Sequence, residues 1–274
     1  MTAVAHRTPA PSPASAAIAS LLRSRRLVQR NLLVYRHTWM VIFSGFFEPL
    51  FYLLGIGYGL GTLIGAVPLP DGRLITYAAF VAPALLAQSC MNGAISESIF
   101  NVFFKLNYEK TYDAILSTPL GITDIAIGEL LWSLIRSVLY ASAFMVVMLL
   151  MGLVLSPWAI LALPASVLIS AAFSAAGLAV TSYLRTVQDF DLPFGLVIMP
   201  MFLLSGTFFP ISLYPQPIQL VMELTPLFHG VSLLRGLTTG SLGLHELWDV
   251  GYLLAFGILS MRLALRRLTE RIIK

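Results

Sequence analysis

Glu48 and Arg136 are charged residues set inside long apolar stretches, where a charge costs at least roughly 2.5–3.5 kcal/mol on insertion scales. Counted from Trp39, Glu48 lies about 13 Å along a helix at 1.5 Å per residue. Arg136, counted from Ala126, lies about 15 Å along by the same rise. Opposite signs at matching depth predict an ion pair between the two stretches; inward snorkelling of Arg136 is the alternative. Glu97 and Glu129 fall nearer the stretch ends, within expected reach of water or interface groups. Cys90 is the only cysteine, so an intrachain disulfide or a Cys-x-x-Cys site is excluded. His6, His37, His229 and His245 are scattered without His-Glu-x-x-His spacing. With no nucleophile–base or metal constellation, a lipid-modifying enzyme is disfavoured. One clear deep carboxylate, with no Asp–Glu–His relay, weighs against an ion-coupled secondary transporter.

A second group of polar residues lies between apolar stretches. In KLNYEKTYDAILSTPLGITD (105–124), Lys105, Glu109, Lys110 and Asp113 alternate in sign and are followed by Ile115 and Leu116. Pro119 and Gly121 then break the helix. A short polar helix with an apolar spot suits docking into the groove of a soluble partner. A plain connecting loop fits the spacing equally well.

The elements that must position these residues are six apolar stretches, at roughly 39–64, 75–102, 126–155, 158–184, 190–209 and 246–266. Each is long enough for a ~30 Å hydrocarbon core, which takes ~20 helical residues. The chain is 58% hydrophobic and 11% charged, against roughly 25% charged in soluble domains. The expected fold class is therefore an all-α polytopic membrane protein with six transmembrane helices. With a cytoplasmic N-terminus, 14 of the 17 Lys and Arg fall inside, and only Arg73 and Arg235 outside. That bias is the positive-inside pattern, with both termini cytoplasmic. The net charge of +4 then reads as topology and contact with membrane lipids, not as a nucleic-acid footprint.

Residues 1–17 are rich in Pro, Ala and Ser, and are expected to form a disordered cytoplasmic tail before one membrane domain, 18–274. Arg23, Arg26, Arg30 and His37 share one helical face, with Leu21, Val28, Leu32, Tyr35 and Trp39 opposite. This predicts an N-terminal interfacial amphipathic helix, or else a solvated lead-in helix. Gly55, Gly57, Gly59 and Gly61 in GIGYGLG either permit close helix approach or mark a loosened helix end. Between the last two stretches, Pro210, Pro215, Pro217 and Pro226 bracket apolar pieces at 218–224 and 227–237, each too short to span. Two short re-entrant helices at the outer surface are expected there, with an outer loop and one interfacial helix as the alternative. No Walker-type nucleotide loop occurs.

FEPLFYLLGIGYGLG (47–61), YEKTYDAILSTPL (108–120), GELLWSLIR (128–136) and LLSGTFFPISLYP (203–215) resemble the type 2 ABC exporter permeases. The closest likeness is to the nodulation-protein J type of lipo-oligosaccharide export permease. The likeness runs from about Ile18 onward. The Ser-Gly-Thr-Phe-Phe-Pro stretch with its Pro-rich outer loop is the more specific signature. The resemblance implies a six-span half-transporter of the bacterial plasma (inner) membrane that pairs as a dimer, most simply a homodimer, with two cytosolic ABC ATPase subunits. It implies an interfacial helix at 18–38, a coupling helix at about 107–118 and outer re-entrant helices at roughly 211–237. On the coupling helix, Tyr108, Glu109, Lys110, Tyr112, Asp113 and Leu116 are the expected ATPase-contacting residues. The permease itself would bind no cofactor, since ATP and Mg belong to the partner ATPase. The aromatics Phe208, Phe209, Tyr214 and Phe228 would stand near the exit, suited to sugars or acyl chains or to interfacial anchoring. The implied function is export of a lipid-linked saccharide or similar amphiphile, with drug efflux by the same architecture as the rival.

Overall fold

The computed structural model describes Ser24, residues 27–33, Phe47, 50–69 and 71–272 of the chain. The expected tail at 1–17 and the side chain of Glu48 lie outside these residues, as does most of the expected interfacial helix. Its described part, Ser24 and 27–33, is helical.

The first long element is α1 (Leu50–Ile64), π-helical over Leu53–Leu60. Its four glycines divide by face. A Cβ at Gly57 would meet Leu53 and Ala78, and one at Gly61 would meet Tyr77, whereas Gly55 and Gly59 face open space. Both expectations for GIGYGLG hold here, close approach on one face within a loosened helix. A two-stranded antiparallel hairpin follows, β1 (Ala66–Pro68) and β2 (Leu74–Thr76), with Val67 opposite Ile75. Gly72 takes φ 83° in its turn, a conformation open to residues without a Cβ. Asp71 accepts from the Arg73 backbone N–H at 3.0 Å and from Nε at 2.7 Å. Apart from this small hairpin the architecture is helical, in keeping with the all-α membrane expectation.

Thr76 caps α2 (Tyr77–Asn107) by accepting from the Ala79 N–H. The short α3 (Thr111–Leu116) leads into α4 (Ile122–Leu150), and α5 (Pro157–Thr181) runs at the centre. Small residues bring α5 close to its neighbours. A Cβ at Gly177 would lie 2.7 Å from Ser98 Cβ of α2. On the last helix, a Cβ at Gly257 would come within 3.1 Å of Ala172 Cα. The Ser98 and Ser174 hydroxyls are 2.8 Å apart, and Thr181 Oγ1 donates to the Ser98 carbonyl at 2.9 Å. Small side chains with interhelical hydrogen bonds are the packing that works where lipid removes the hydrophobic drive between helices.

The fifth apolar stretch yields α6 (residues 191–203), π-helical over Phe194–Ile198. It reaches only ~20 Å at 1.5 Å per residue, short of a full crossing. Leu204 leaves helical geometry and Gly206 takes φ 70°, so Ser-Gly-Thr ends the helix before the apolar run does. Two helices then occupy the Pro-rich region, α7 (Gln216–Glu223) and α8 (Pro226–Thr239), with Thr225 capping α8. Last comes α9 (His245–Ile272). Among the described residues, four helices are long and apolar enough to cross a bilayer: α2, α4, α5 and α9.

Candidate functional site

Three polar clusters interrupt the apolar packing. The first lies beneath α3. Lys105 Nζ, at the end of α2, reaches both Glu129 oxygens on α4, at 2.9 and 3.0 Å. It also lies 3.4 Å from Asn31 Oδ1 in the N-terminal helical segment. Tyr112 of α3 donates its hydroxyl to Glu129 Oε1 at 3.2 Å. All four side chains are buried, and two donors, the Lys105 ammonium and the Tyr112 hydroxyl, converge on one carboxylate with three hydrogen bonds and satisfy it. Burial first, then the neighbouring Glu129 charge, holds the Tyr112 phenol well above its ordinary pKa, so it remains a donor. Around this cluster Leu27, Val102, Ile125 and Ala264 form an apolar patch, with Leu106, Ile115 and Leu116 packed against it. Leu27 lies so close to Gly128 that a Cβ there would be 2.7 Å from its Cδ1. Ser24 Oγ also donates to the Asp124 carbonyl at 2.8 Å.

The residues expected to contact a partner divide accordingly. Tyr108, Glu109, Lys110 and Asp113 are exposed, with Thr111 donating to Glu109 at 3.0 Å. Lys110 holds φ 49°, an uncommon conformation for a residue with a side chain. Tyr112 is buried and Leu116 half-buried. Tyr112 ties α3 to α4, and Leu116 is half-buried against the apolar patch. The N-terminal segment packs one side against the body and leaves the other open. Leu27 and Asn31 are buried against the body, while Leu32 and Leu33 are exposed.

The second cluster lies farther along α2 and α4. Glu97 accepts from Arg136, from Trp132 Nε1 at 3.0 Å and from Asn101 Nδ2 at 2.6 Å. Arg136 also donates to Tyr140 Oη at 3.0 Å. Glu97 is only 8% exposed, so the expectation that it reaches water is corrected: it shares the charge of Arg136. The expected Glu48–Arg136 pair has one member outside the described residues. A π-helical turn, Glu97–Asn101, sits at this point of α2, and such turns frequently mark functional sites. Beside the cluster is a cavity of about 550 Å³ between α1, α2 and α4, lined among others by Tyr52, Gln88, Asn92, Arg136 and Tyr140. Its signal was present in the sequence. Ser89, Glu97, Asn101 and Lys105 recur in steps of four or eight, as do Gln88, Asn92 and Ser96 in steps of four, two adjacent rows on one helical face.

The third cluster joins α7, α8 and α9. His229 Nδ1 lies 2.6 Å from Asp249 Oδ1, and Nε2 donates to the Glu223 carbonyl at 2.8 Å. The ring stacks on Tyr252 at 4.0 Å, whose hydroxyl donates to the Leu224 carbonyl. Arg235 donates to the Gly206 and Phe80 carbonyls at 2.8 and 3.2 Å and lies 3.8 Å over the Phe80 ring. These bonds lock the α7–α8 region to α2 and to the turn after α6. No sequence spacing pointed to them, since apart from His229 and Glu223, six positions apart, their members lie 20 to 155 positions apart.

Of the four aromatics expected at an exit, the structure brings two to the Gly206 turn. Phe208 packs edge-on to Phe202 at 5.2 Å, and its carbonyl accepts from Tyr77 Oη at 3.1 Å. Phe228 lies within 4.0 Å of where a Gly206 Cβ would be. Phe209 is exposed, and Tyr214 contributes its carbonyl to Gln219 at 2.7 Å.

Comparison with known proteins bears on what this scaffold is. The profile of the ABC-2 type transporter family matches residues 24–238. Nodulation protein J of Rhizobium meliloti (strain 1021) is 32% identical over 247 residues, covering 89% of this chain and 92% of that protein. Nodulation protein J of Sinorhizobium fredii (strain NBRC 101917 / NGR234) is 34% identical over 208 residues, covering 76% and 78%. The inner membrane transport permease YadH of Escherichia coli (strain K12) is 27% identical over 211 residues, covering 76% and 77%.

Proposed function

Because the chain belongs to the ABC-2 type transporter family, and is thus a membrane permease that works with an ABC ATPase, we propose that it is the transmembrane half of an exporter. Its cargo is a lipid-linked saccharide or similar amphiphile taken from the cytoplasm or inner leaflet. The working unit is a homodimer in the bacterial inner membrane with two cytosolic ATPases, which bind the ATP and Mg. Both termini face the cytoplasm, in keeping with the distribution of Lys and Arg. The resemblance to the nodulation-protein J type of lipo-oligosaccharide export permease, a type to which the relatives named nodulation protein J belong, favours the saccharide cargo.

The observation that carries the coupling proposal is the buried Tyr112–Glu129–Lys105 link. A push on exposed α3 is delivered through Tyr112 to α4 and, by the ion pair, to α2. Without such a tie, a six-residue helix would give way locally and move neither span. Glu109 and Asp113 are the exposed acids that meet the ATPase. At the far end, α7 and α8 dip back toward the membrane, with Phe208, Phe209, Tyr214 and Phe228 bordering the exit. Irregular backbone such as the Gly206 turn is tolerated at membrane depth only where protein satisfies it. Arg235 does this for the Gly206 carbonyl. A proton-coupled carrier is a poor fit, because Glu97 is held by Arg136, Trp132 and Asn101.

The test is the lipid extract of cells with and without the gene. Accumulation of a glycolipid in the inner leaflet is expected. Unchanged lipids with altered drug sensitivity would assign the permease to drug efflux instead.

A further inference from the structure

We propose that the cavity between α1, α2 and α4 is the site where the permease recognises its cargo, by binding a neutral, polyhydroxylated head group. This rests on the amphiphile-export reading and adds a place and a chemistry to it.

The volume of about 550 Å³ lies within the ~300–1,000 Å³ typical of small-ligand pockets, enough for a head group but not for a whole amphiphile. Gln88 and Asn92 line it one helical turn apart, with Ser89 beside them. Among the described residues, none of these three side chains has a hydrogen-bond partner, although Gln88 is only 8% exposed. Their polar atoms are open to the cavity and are not sealed in the packing, and polar groups at membrane depth mark substrate pathways. Each amide offers both donors and an acceptor, which is what sugar hydroxyls require.

Charge selects against other ligands. Glu97 and Arg136 neutralise each other on the cavity wall, and Glu109 is the remaining charged lining residue. Among the described lining residues there is therefore no surplus cation for a phosphate, and the one surplus carboxylate, Glu109, is exposed at the α3 end, away from Gln88 and Asn92. Phe100 and Phe104 present exposed ring surface along the same wall, suited to the C–H face of a pyranose. The lining runs from Gln88 to Glu109, just before α3, so the cavity extends to the end of the bundle where the ATPase docks. Acyl chains remain among the lipids outside.

The experiment places the full-length protein in phosphatidylcholine nanodiscs. A neutral dihexosyl diacylglycerol is titrated in, with diacylglycerol, phosphatidic acid and the matching free disaccharide as separate arms. Binding is read by native mass spectrometry. Wild type is expected to retain the dihexosyl lipid over diacylglycerol and phosphatidic acid. Competition by the free disaccharide would place recognition in the sugar alone; no competition would require the lipid-borne form, and either agrees with the proposal. The double variant Gln88→Leu/Asn92→Leu should bind at least about fivefold more weakly, from two lost hydrogen bonds. Ser89→Phe, which fills the cavity, should do the same with an unchanged melting temperature. Equal binding by wild type and both variants, or no preference for the sugar-bearing lipid, overturns the proposal. Because no ATPase is present, that failure leaves the exporter reading intact, whereas failure of the exporter reading shows in the lipid extracts.

Discussion

Removing either member of the Lys105–Glu129 pair should damage the protein more than removing both. Glu129→Leu leaves the Lys105 ammonium buried, with only the 3.4 Å contact to Asn31. Breaking a buried ion pair from one side costs about 3–5 kcal/mol, and Glu129→Leu also takes the acceptor of Tyr112. Lys105→Met leaves Glu129 with the Tyr112 hydroxyl, a hydrogen bond to a charged group worth ~1.5–3 kcal/mol, so its loss should sit at the lower end. In the double variant no charge is stranded, and replacing a buried pair by apolar groups is often neutral or stabilising. The structure thus requires a coupling energy of at least ~2 kcal/mol in a double-mutant cycle, measured by chemical unfolding in one detergent. The double variant should fold yet couple poorly, because Tyr112 has lost its hold on α4; cargo-stimulated ATPase activity of the assembled transporter reads this. Effects that add within ~0.5 kcal/mol, the behaviour of independent sites, would refute the pair as a mechanical tie.

Three further outcomes follow from the same geometry. Gly128→Val should destabilise by ~1–3 kcal/mol through overpacking, since the first added carbon meets Leu27 at 2.7 Å; adding Leu27→Ala should relieve it in the same unfolding assay. Trp132→Phe should cost ~1.5–3 kcal/mol, the value of a hydrogen bond to a charged group, because it removes the indole donor to Glu97; no change on unfolding would contradict the assignment. The Asp189 carboxyl, in the loop before α6, has its pKa lowered by the backbone N–H groups of Arg185 and Thr186 and the Thr186 hydroxyl. A lowered folded value means this stabilisation is present above the ordinary carboxylate pKa near 3.8 and is lost as pH falls through the folded value. The protection of the Arg185 and Thr186 amides, taken relative to the intrinsic exchange rate at each pH, should therefore fall on acidification through that range, and Asp189→Asn should abolish that change.

The long helices were legible because a sustained apolar run leaves few alternatives. Stretches at 75–102, 126–155, 158–184 and 246–266 reappear as α2, α4, α5 and α9 within a few residues at most ends. The fifth stretch is helical over 191–203 only, and hydropathy does not register the turn that stops it: Leu203–Phe209 stays apolar apart from Ser205–Gly206–Thr207, which ends the helix. The hairpin was missed because its strands are three residues each, too short for alternation to show. Asp71–Gly72, a strong hairpin-turn dipeptide, was the available sign. At the sites, depth along the chain carried only part of the information. It pointed Arg136 toward Glu48, which lies outside the described residues, and did not register that Glu97 reaches Arg136 through the phase of α2. Alternating charge drew attention to the exposed side of 105–124, whereas Tyr112 acts from the buried side, which only the third dimension reveals.

The central claim is that this chain conducts cargo but is driven by a separate nucleotide-hydrolysing subunit. Its most direct measurement is glycolipid movement in proteoliposomes holding the permease with its copurified ATPase, and again without it. Movement that requires both the ATPase and ATP, and that falls when Glu109 and Asp113 are reversed to Lys, is the predicted result. Movement on a proton gradient by the permease alone would contradict it.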